Sequence, residues 1–308
     1  MSDDTTESGD TGSTAPTGGH GVSSGLSSDG GQTTGSLGTV TPTEVDGSGS
    51  AVRDHAYLFL VLLRKELTIL VRYPVNFFGA VVSMFVIFLL MVVGGQEVGG
   101  ASFSESLGGL VVGYLVFMLS QSAYQGLASS VGQEAQWGTL ERLHLSPIGF
   151  GRVMIVSAVT QVLVSFIYAA ILLPVTLLIA NESLSIDLLT IVPITLLGLA
   201  SVVGLGFVFG GASVLYKRVS SVFRLFQFGL IALIAAPVER FPWSRVFPIV
   251  QANHMLGRAM REGVGLREFP PEAFAVLVAV GVGYFAAGYG VFLLFVRRAR
   301  KLGVLGDY

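Results

Sequence analysis

The chain of 308 residues has no cysteine. Structural disulfides, cysteine-ligated zinc and iron–sulfur clusters are therefore excluded. Charge is scarce as well. Asp, Glu, Lys and Arg make up 12% of the residues, against about 25% in a typical soluble domain. The net charge of −2 leaves no global basic field for nucleic acid. No G-x-x-x-x-G-K-[ST] phosphate loop, no H-E-x-x-H zinc pair and no G-x-S-x-G nucleophile turn occurs in the chain. An ordinary cytoplasmic enzyme does not fit this composition. Any energy for uphill work must come from elsewhere.

What is abundant is apolar surface. Hydrophobic residues account for 52% of the chain, and the mean hydropathy is +0.71. Six apolar stretches approach the ~20 residues that cross a ~30 Å hydrocarbon core. They lie at about Pro74–Val93, Leu107–Val131, Val153–Ala180, Leu188–Leu215, Val222–Val238 and Ala273–Val296. Pro174 and Pro193 fall inside spans three and four, where neighbouring helices can satisfy the freed carbonyls. Residues 1–52 differ from the rest. They hold seven acidic residues, no Lys or Arg, and 32 Gly, Ser or Thr. Such a segment buries too little apolar surface to offset its chain entropy and is expected to be a disordered, solvating tail.

Basic residues cluster on alternate connections. Arg53, Arg64, Lys65 and Arg72 precede span one, and Arg142 and Arg152 lie between spans two and three. Lys217, Arg218 and Arg224 lie between spans four and five, and Arg297, Arg298, Arg300 and Lys301 come after span six. The 1–2 and 3–4 connections have none, so the positive-inside rule predicts that both termini are cytoplasmic. The segment 239–271 departs from this pattern, with five Arg on the expected outer side, partly balanced by Glu239, Glu262 and Glu268. Asn181-Glu182-Ser183 in the 3–4 connection fits the glycan-acceptor pattern, in agreement with an outer location.

No predicted span has an ionisable residue in its interior, and His20, His55, His144 and His254 all lie outside the spans. This argues against a proton-coupled carrier and an intramembrane metalloprotease. The polar span residues are the neutral amides Asn76, Gln121, Gln125, Gln161 and Gln227. Most such amides join helices, and the rest are candidates for substrate contact. Gly109–Gly113 and Gly206–Gly210 fit G-x-x-x-G, a spacing that permits close helix approach.

Two elements outside the spans carry patterns. Across Phe59–Arg72, Leu60, Leu63, Leu67, Leu70 and Val71 fall on one helical face, and Arg64, Lys65, Thr68 and Arg72 on the other. This spacing predicts a helix in the membrane interface, with Pro74 allowing a turn into the bilayer. The loop at about 132–150 reads as a short helix stopped before Pro147. Glu134, Trp137 and Glu141 share a face there, and Leu140 and Leu143 lie close together. It is either a docking element for a cytoplasmic partner or a connector anchored by Trp137 at the headgroups.

The run Glu134…Gly138-Thr139-Leu140-Glu141-Arg142-Leu143…Ser146-Pro147 closely resembles the E-x-x-x-G-T-L-E-x-L-x-x-S-P signature of ABC-2 type transporter permeases. The resemblance covers about residues 53–300, and the haem exporter B subunit has a similar loop. It implies an all-α integral membrane protein with six transmembrane helices. An N-terminal elbow helix at about 55–73 and an outer re-entrant segment at about 239–271 would complete residues 53–308. It implies that Glu134, Trp137, Gly138, Thr139, Leu140, Glu141, Arg142, Leu143, Ser146 and Pro147 form a coupling helix that docks on an ATPase. Arg64, Lys65, Leu67 and Arg72 would belong to the interfacial elbow. The implied partners are two ABC ATPase subunits, which would bind the ATP and magnesium, a second permease subunit (identical or paralogous) and membrane lipid. The implied role is that of a non-enzymatic exporter subunit in the cell membrane. The competing expectations are a non-transporting assembly protein that docks a soluble partner through the same loop, and an ATP-independent carrier.

Overall fold

The computed structural model describes residues 47–105, 107–136, 150–216 and 220–301. Among these residues all regular structure is helical. The helices are α1 (Gly47–Arg72), α2 (Pro74–Glu105), α3 (Leu107–Gln136) and α4 (Phe150–Ala180), then α5 (Leu188–Leu215), α6 (Ser220–Ile234), α7 (Val250–Glu262) and α8 (Pro271–Lys301). Single 3-10 turns at Pro242–Val246 and Leu266–Glu268 flank α7. Residues 1–46 and the loop 137–149 lie outside the described residues, whereas residues 47–52, expected to belong to the disordered tail, form the start of α1.

Five helices carry apolar stretches long enough to cross a membrane: Phe77–Glu97, Leu107–Glu134, Phe150–Ala180, Leu188–Leu215 and Pro271–Lys301. These match five of the six expected spans. The remaining one, expected at Val222–Val238, is the 15-residue α6. At 1.5 Å per residue it is about 22 Å long, short of a ~30 Å core. Pro237 comes after it, and the chain turns there before the 3-10 segment.

The architecture is organised around α5. Asp187 starts this helix: its carboxylate accepts from the Leu189 N–H at 3.1 Å and from the Thr190 hydroxyl at 2.5 Å. That satisfies donors a helix start otherwise leaves unpaired. Gly204 of α5 lies against the Tyr284 backbone of α8, and Gly288 of α8 lies against the Gly204 carbonyl. Gly211 meets Phe292 and Phe295, and Gly281 meets the Leu197 carbonyl. On α5's other side Gly206 touches the Tyr124 backbone of α3, and Gly210 touches Val131 and Ala128. Gly198 accommodates Ala252 of α7. Glycines thus let α5 approach three helices at backbone distance, where dispersion contacts and not hydrophobicity drive helix association in lipid. The expected role of Gly206–Gly210 is seen here. Gly109 and Gly113 instead meet only side chains, those of Arg261 and Ile234.

Aromatic rings fill the space between these helices. Phe207 of α5 is fully buried, with ring centroids 5.7, 5.4 and 5.5 Å from Phe285, Tyr289 and Phe292 of α8. Phe292 stacks in turn on Phe150 of α4. Phe226 attaches the short α6, packing 5.2 Å from Tyr124 and 5.0 Å from Phe209. The buried hydroxyls of Thr160, Ser165, Thr176 and Ser201 donate to carbonyls three or four residues earlier in their own helices, so they need no outside partner.

The segment after α6 folds back onto the bundle. The Ile249 N–H donates to Ser201 Oγ at 3.0 Å, and Ile249 starts α7 in a left-handed conformation (φ 67°). Val250, Ala252, Met255, Leu256 and Ala259 are buried against the bundle. Asn253 Nδ2 donates to the Ile234 carbonyl at 2.9 Å, satisfying an orphan acceptor at the end of α6. The Ser185 N–H donates to the Met260 carbonyl at 2.8 Å, and Gly108 lies beside Leu184 and Arg261. The connections α2–α3, α4–α5 and α6–α8 therefore share one end of the bundle. Asn181, of the glycan-acceptor pattern, is exposed there and ends α4 with φ 50°, a conformation Asn tolerates.

The close approach of α5 and α8 has a direct test. A Cβ on Gly204 would collide with the Tyr284 carbonyl, whereas one on Gly283 would meet nothing within 4 Å. Gly204→Ala is expected to lower stability by about 1–3 kcal/mol through overpacking, and Gly283→Ala to leave it unchanged. Thermal unfolding of detergent-solubilised protein compares the two; equal melting would contradict the packing.

Candidate functional site

A polar concavity lies between α1, α2, α3 and α4, on the side of α3 away from α8. Its volume is about 520 Å³, within the range of small-molecule sites. Helix α3 contributes Gln121, Ser122, Gln125 and Ser129. Their spacing of three to four residues places them in one stripe. Helix α4 contributes Gln161, Val164 and Tyr168, and α2 contributes Phe77 and Met84. Glu66, Ile69 and Leu70 come from α1, and Tyr73 from the single residue that separates α1 from α2.

Among the described residues Glu66 is the one charged side chain lining the cavity. Gln161 Nε2 donates to Glu66 Oε1 at 3.3 Å. A carboxylate only accepts, so it is the amide NH₂ of Gln161 that must face it. Gln161 itself is buried, and its Oε1 lies against Gly126, in the space a Cβ there would occupy. Gly126 therefore makes room for the amide that holds Glu66. The Glu66 charge also acts electrostatically on the Tyr168 hydroxyl. The rings of Tyr168 and Phe77 are 5.5 Å apart. Gln121 Oε1 is buried and has no hydrogen-bond partner among the described residues, whereas Gln125 Nε2 donates to the Tyr124 hydroxyl at 3.3 Å.

The absence of ionisable residues from the span interiors concerns the spans themselves; α1, outside them, brings Glu66 beside Gln161. That residue is eleven positions into α4, or about 16 Å along its axis. The apolar face expected for the first helix divides between an exposed part and the cavity. Leu60 and Val71 are 61% and 80% exposed, and Leu67 is exposed too, whereas Glu66 and Leu70 turn inward onto α4. Arg64, Lys65 and Arg72 are exposed as well. Helical hydrogen bonds run on both sides of Pro74, from Tyr73 N to the Ile69 carbonyl and from Phe77 N to the Tyr73 carbonyl. The break at Pro74 is thus a one-residue interruption.

Of the expected coupling residues, Glu134 is half-buried near the end of α3. Trp137, Gly138, Thr139, Leu140, Glu141, Arg142, Leu143, Ser146 and Pro147 lie outside the described residues. Gln227 is half-buried on α6, away from the cavity. Residues of the 239–271 segment form a second polar group at the other end of the bundle. Arg258 pairs with Glu262 at 3.2 Å. Burial, and next the charges of Arg245 and Arg258, hold the His254 imidazole below its ordinary range, against the opposing pull of Glu239 and Glu262.

The fold and the apolar helices define an all-helical, multi-pass membrane protein. Family models, curated proteins and solved structures yield no match to this chain.

Both polar groups can be probed by substitution. The chain has no cysteine, so single replacements report cleanly. In folded protein Ser122→Cys, which lines the cavity, should react with a hydrophilic maleimide. Ser165→Cys, at a fully buried position, should react only after denaturation. Equal inertness would exclude a water-accessible cavity. For His254, the lowered pKa means that the unfolded chain takes up a proton first as pH falls. Its contribution to stability is complete above the ordinary value of about 6.5 and is lost as pH falls below it. His254→Gln should flatten the fall in melting temperature between about pH 7.5 and pH 5.5; an unchanged slope would rule out this group as its source.

Proposed function

We propose that this chain is the membrane-spanning subunit of an ATP-driven exporter of the ABC-2 permease type. The observation that carries the reading is the run Glu134…Gly138-Thr139-Leu140-Glu141-Arg142-Leu143…Ser146-Pro147, placed between two long apolar helices, α3 and α4. The arrangement around it supports the same reading. A helix precedes the first span, a short helix takes the place of the fifth, and the segment after it folds back as the buried α7. These correspond to an elbow helix, a fifth span completed by its neighbours, and an outer re-entrant segment. In this reading α1 lies at the interface, with its exposed Leu60, Leu67 and Val71 towards lipid and its arginines towards headgroups. The end of the bundle carrying Arg152, Arg297, Arg298, Arg300 and Lys301 faces the cytoplasm.

In this mechanism two such subunits, identical or paralogous, sit on two ATPase subunits. ATP-driven closure of the ATPases pushes on the loop 137–149. Glu134, Glu141 and Arg142 make charged contacts, Trp137 and Leu140 fill a groove, and Gly138 permits close approach. The push enters the bundle through the C-terminus of α3 and the N-terminus of α4. Both helices line the polar cavity, so their relative movement changes its shape. A second reading, an ATP-independent carrier, gains from Glu66, a carboxylate of the kind coupled carriers use.

Affinity purification of the tagged chain from mild detergent, beside a Glu141→Arg variant, separates the two. A P-loop ATPase should co-purify in stoichiometric amount with the native chain. In the variant it should be lost, or hydrolyse ATP without transport. A chain that purifies alone after crosslinking would favour the carrier or the assembly protein.

A further inference from the structure

The cavity has a definite chemical bias. Glu66 supplies its one formal charge, and among the described residues no Lys, Arg or His pairs with that carboxylate. Gln161 gives it a single hydrogen bond of 3.3 Å, leaving most of its acceptor capacity unused. The buried Gln121 Oε1, also an acceptor, lacks a partner among the described residues. The unmet demand is thus for positive charge and for donors. A metal ion is not the natural answer, because no group of three His, Cys, Asp or Glu side chains is gathered among the described residues. The rest of the wall is aromatic and aliphatic: Phe77 and Tyr168, with rings 5.5 Å apart, beside Ile69, Leu70 and Val164. Ring faces attract cations, more strongly when water is excluded. A half-buried carboxylate also attracts a counter-charge more strongly than one in bulk water does.

We propose that this cavity binds a monovalent amphipathic cation, its charge against Glu66 and its apolar body against Phe77, Tyr168 and the aliphatic wall. Gln161 is a positioning residue: it orients the carboxylate, and Gly126 gives it room to do so. A large anion is disfavoured by the same carboxylate. The volume of about 520 Å³ suits an organic cation better than a bare inorganic one. The proposal supplies a cargo class for the transport reading; cation binding itself stands without that reading, and only the movement of a bound cation rests on it. The same chemistry has two sources, a free organic cation or the cationic headgroup of a membrane lipid.

The test uses the purified full chain without any ATPase, in nanodiscs of phosphatidylglycerol, which has no cationic headgroup. Tetraphenylphosphonium and tetraphenylborate are close in size and opposite in charge, and equilibrium dialysis of both reads charge selectivity directly. The phosphonium should bind saturably and the borate at least tenfold more weakly. Glu66→Gln, nearly isosteric, should weaken the phosphonium at least tenfold with little change in melting temperature, and Glu66→Asp should retain part of the affinity. Gly126→Leu, which displaces Gln161 and fills the cavity, should also weaken it. Repeating the measurement with added phosphatidylcholine assigns the source. Competition identifies a lipid headgroup and its absence a free cation, and either is the expected cation chemistry. Equal affinity for both ions, or unchanged phosphonium binding in Glu66→Gln, would overturn the proposal. Should Glu66→Gln fail to fold, the comparison of the two ions on the native chain decides once the uptake of protein-free nanodiscs, whose anionic lipid itself favours the cation, is subtracted. ATPase co-purification is scored separately, so loss of the transport reading and loss of the cation site are distinguishable results.

Discussion

The structure depends on how closely α5 approaches its neighbours. In lipid, apolar side chains gain little by leaving one apolar environment for another, so helices associate through close contact and backbone proximity. Gly204 and Gly211 face α8, Gly206 and Gly210 face α3, and Gly198 faces α7. Five glycines on one helix thus serve three interfaces. Gly204 and its counterpart Gly288 on α8 bring the two backbones together so directly that no side chain fits between them. The aromatic group around Phe207 then fixes the rotation of these helices.

That packing divides α3 into two unlike sides. Towards α5 it presents Ala123, Tyr124, Leu127, Ala128 and Val131, all buried. On the other side it presents the stripe of Gln121, Ser122, Gln125 and Ser129 to a cavity. In the packed helices the buried hydroxyls of Ser165 and Ser201 turn back on their own helices. At the cavity, among the described residues, Gln121 Oε1 has no partner and Glu66 a single amide. The α5–α8 contact is close and apolar, whereas the polar cavity lies among α1–α4; under the proposed function the push on the loop between α3 and α4 acts on the latter.

Much of this was legible in the sequence. The fourth expected span, Leu188–Leu215, has the bounds of α5, and the third differs from α4 only at its start. The glycine spacing 206–210 pointed to a close approach that the structure contains. The amides Gln121, Gln125 and Gln161 were visible as the polar minority of apolar spans, and three of the five so singled out line one cavity. Glu66 was not legible. It stands in a stretch with Arg64, Lys65 and Thr68, so hydropathy reads it as part of a solvated face. The apolar face of Leu60, Leu63, Leu67, Leu70 and Val71 gave no sign that Glu66, between two of its members, would line a cavity. The stripe on α3 was the available signal that a polar counterpart was needed on a neighbouring helix.

The sequence by itself determined five of the segments of membrane length, because the free energy of placing an apolar run in lipid belongs to that run alone; the sixth, expected at Val222–Val238, is the shorter α6. It likewise determined where charge is scarce, and that no disulfide forms within the chain. Only the tertiary structure decided which way each helix faces. Lipid and protein both accept apolar surface, so hydropathy cannot tell a lipid-facing leucine from a protein-facing one. The choice falls to shape: glycine gaps that admit a backbone, rings that fill the space between helices, and a carboxylate that turns towards the one amide able to donate to it.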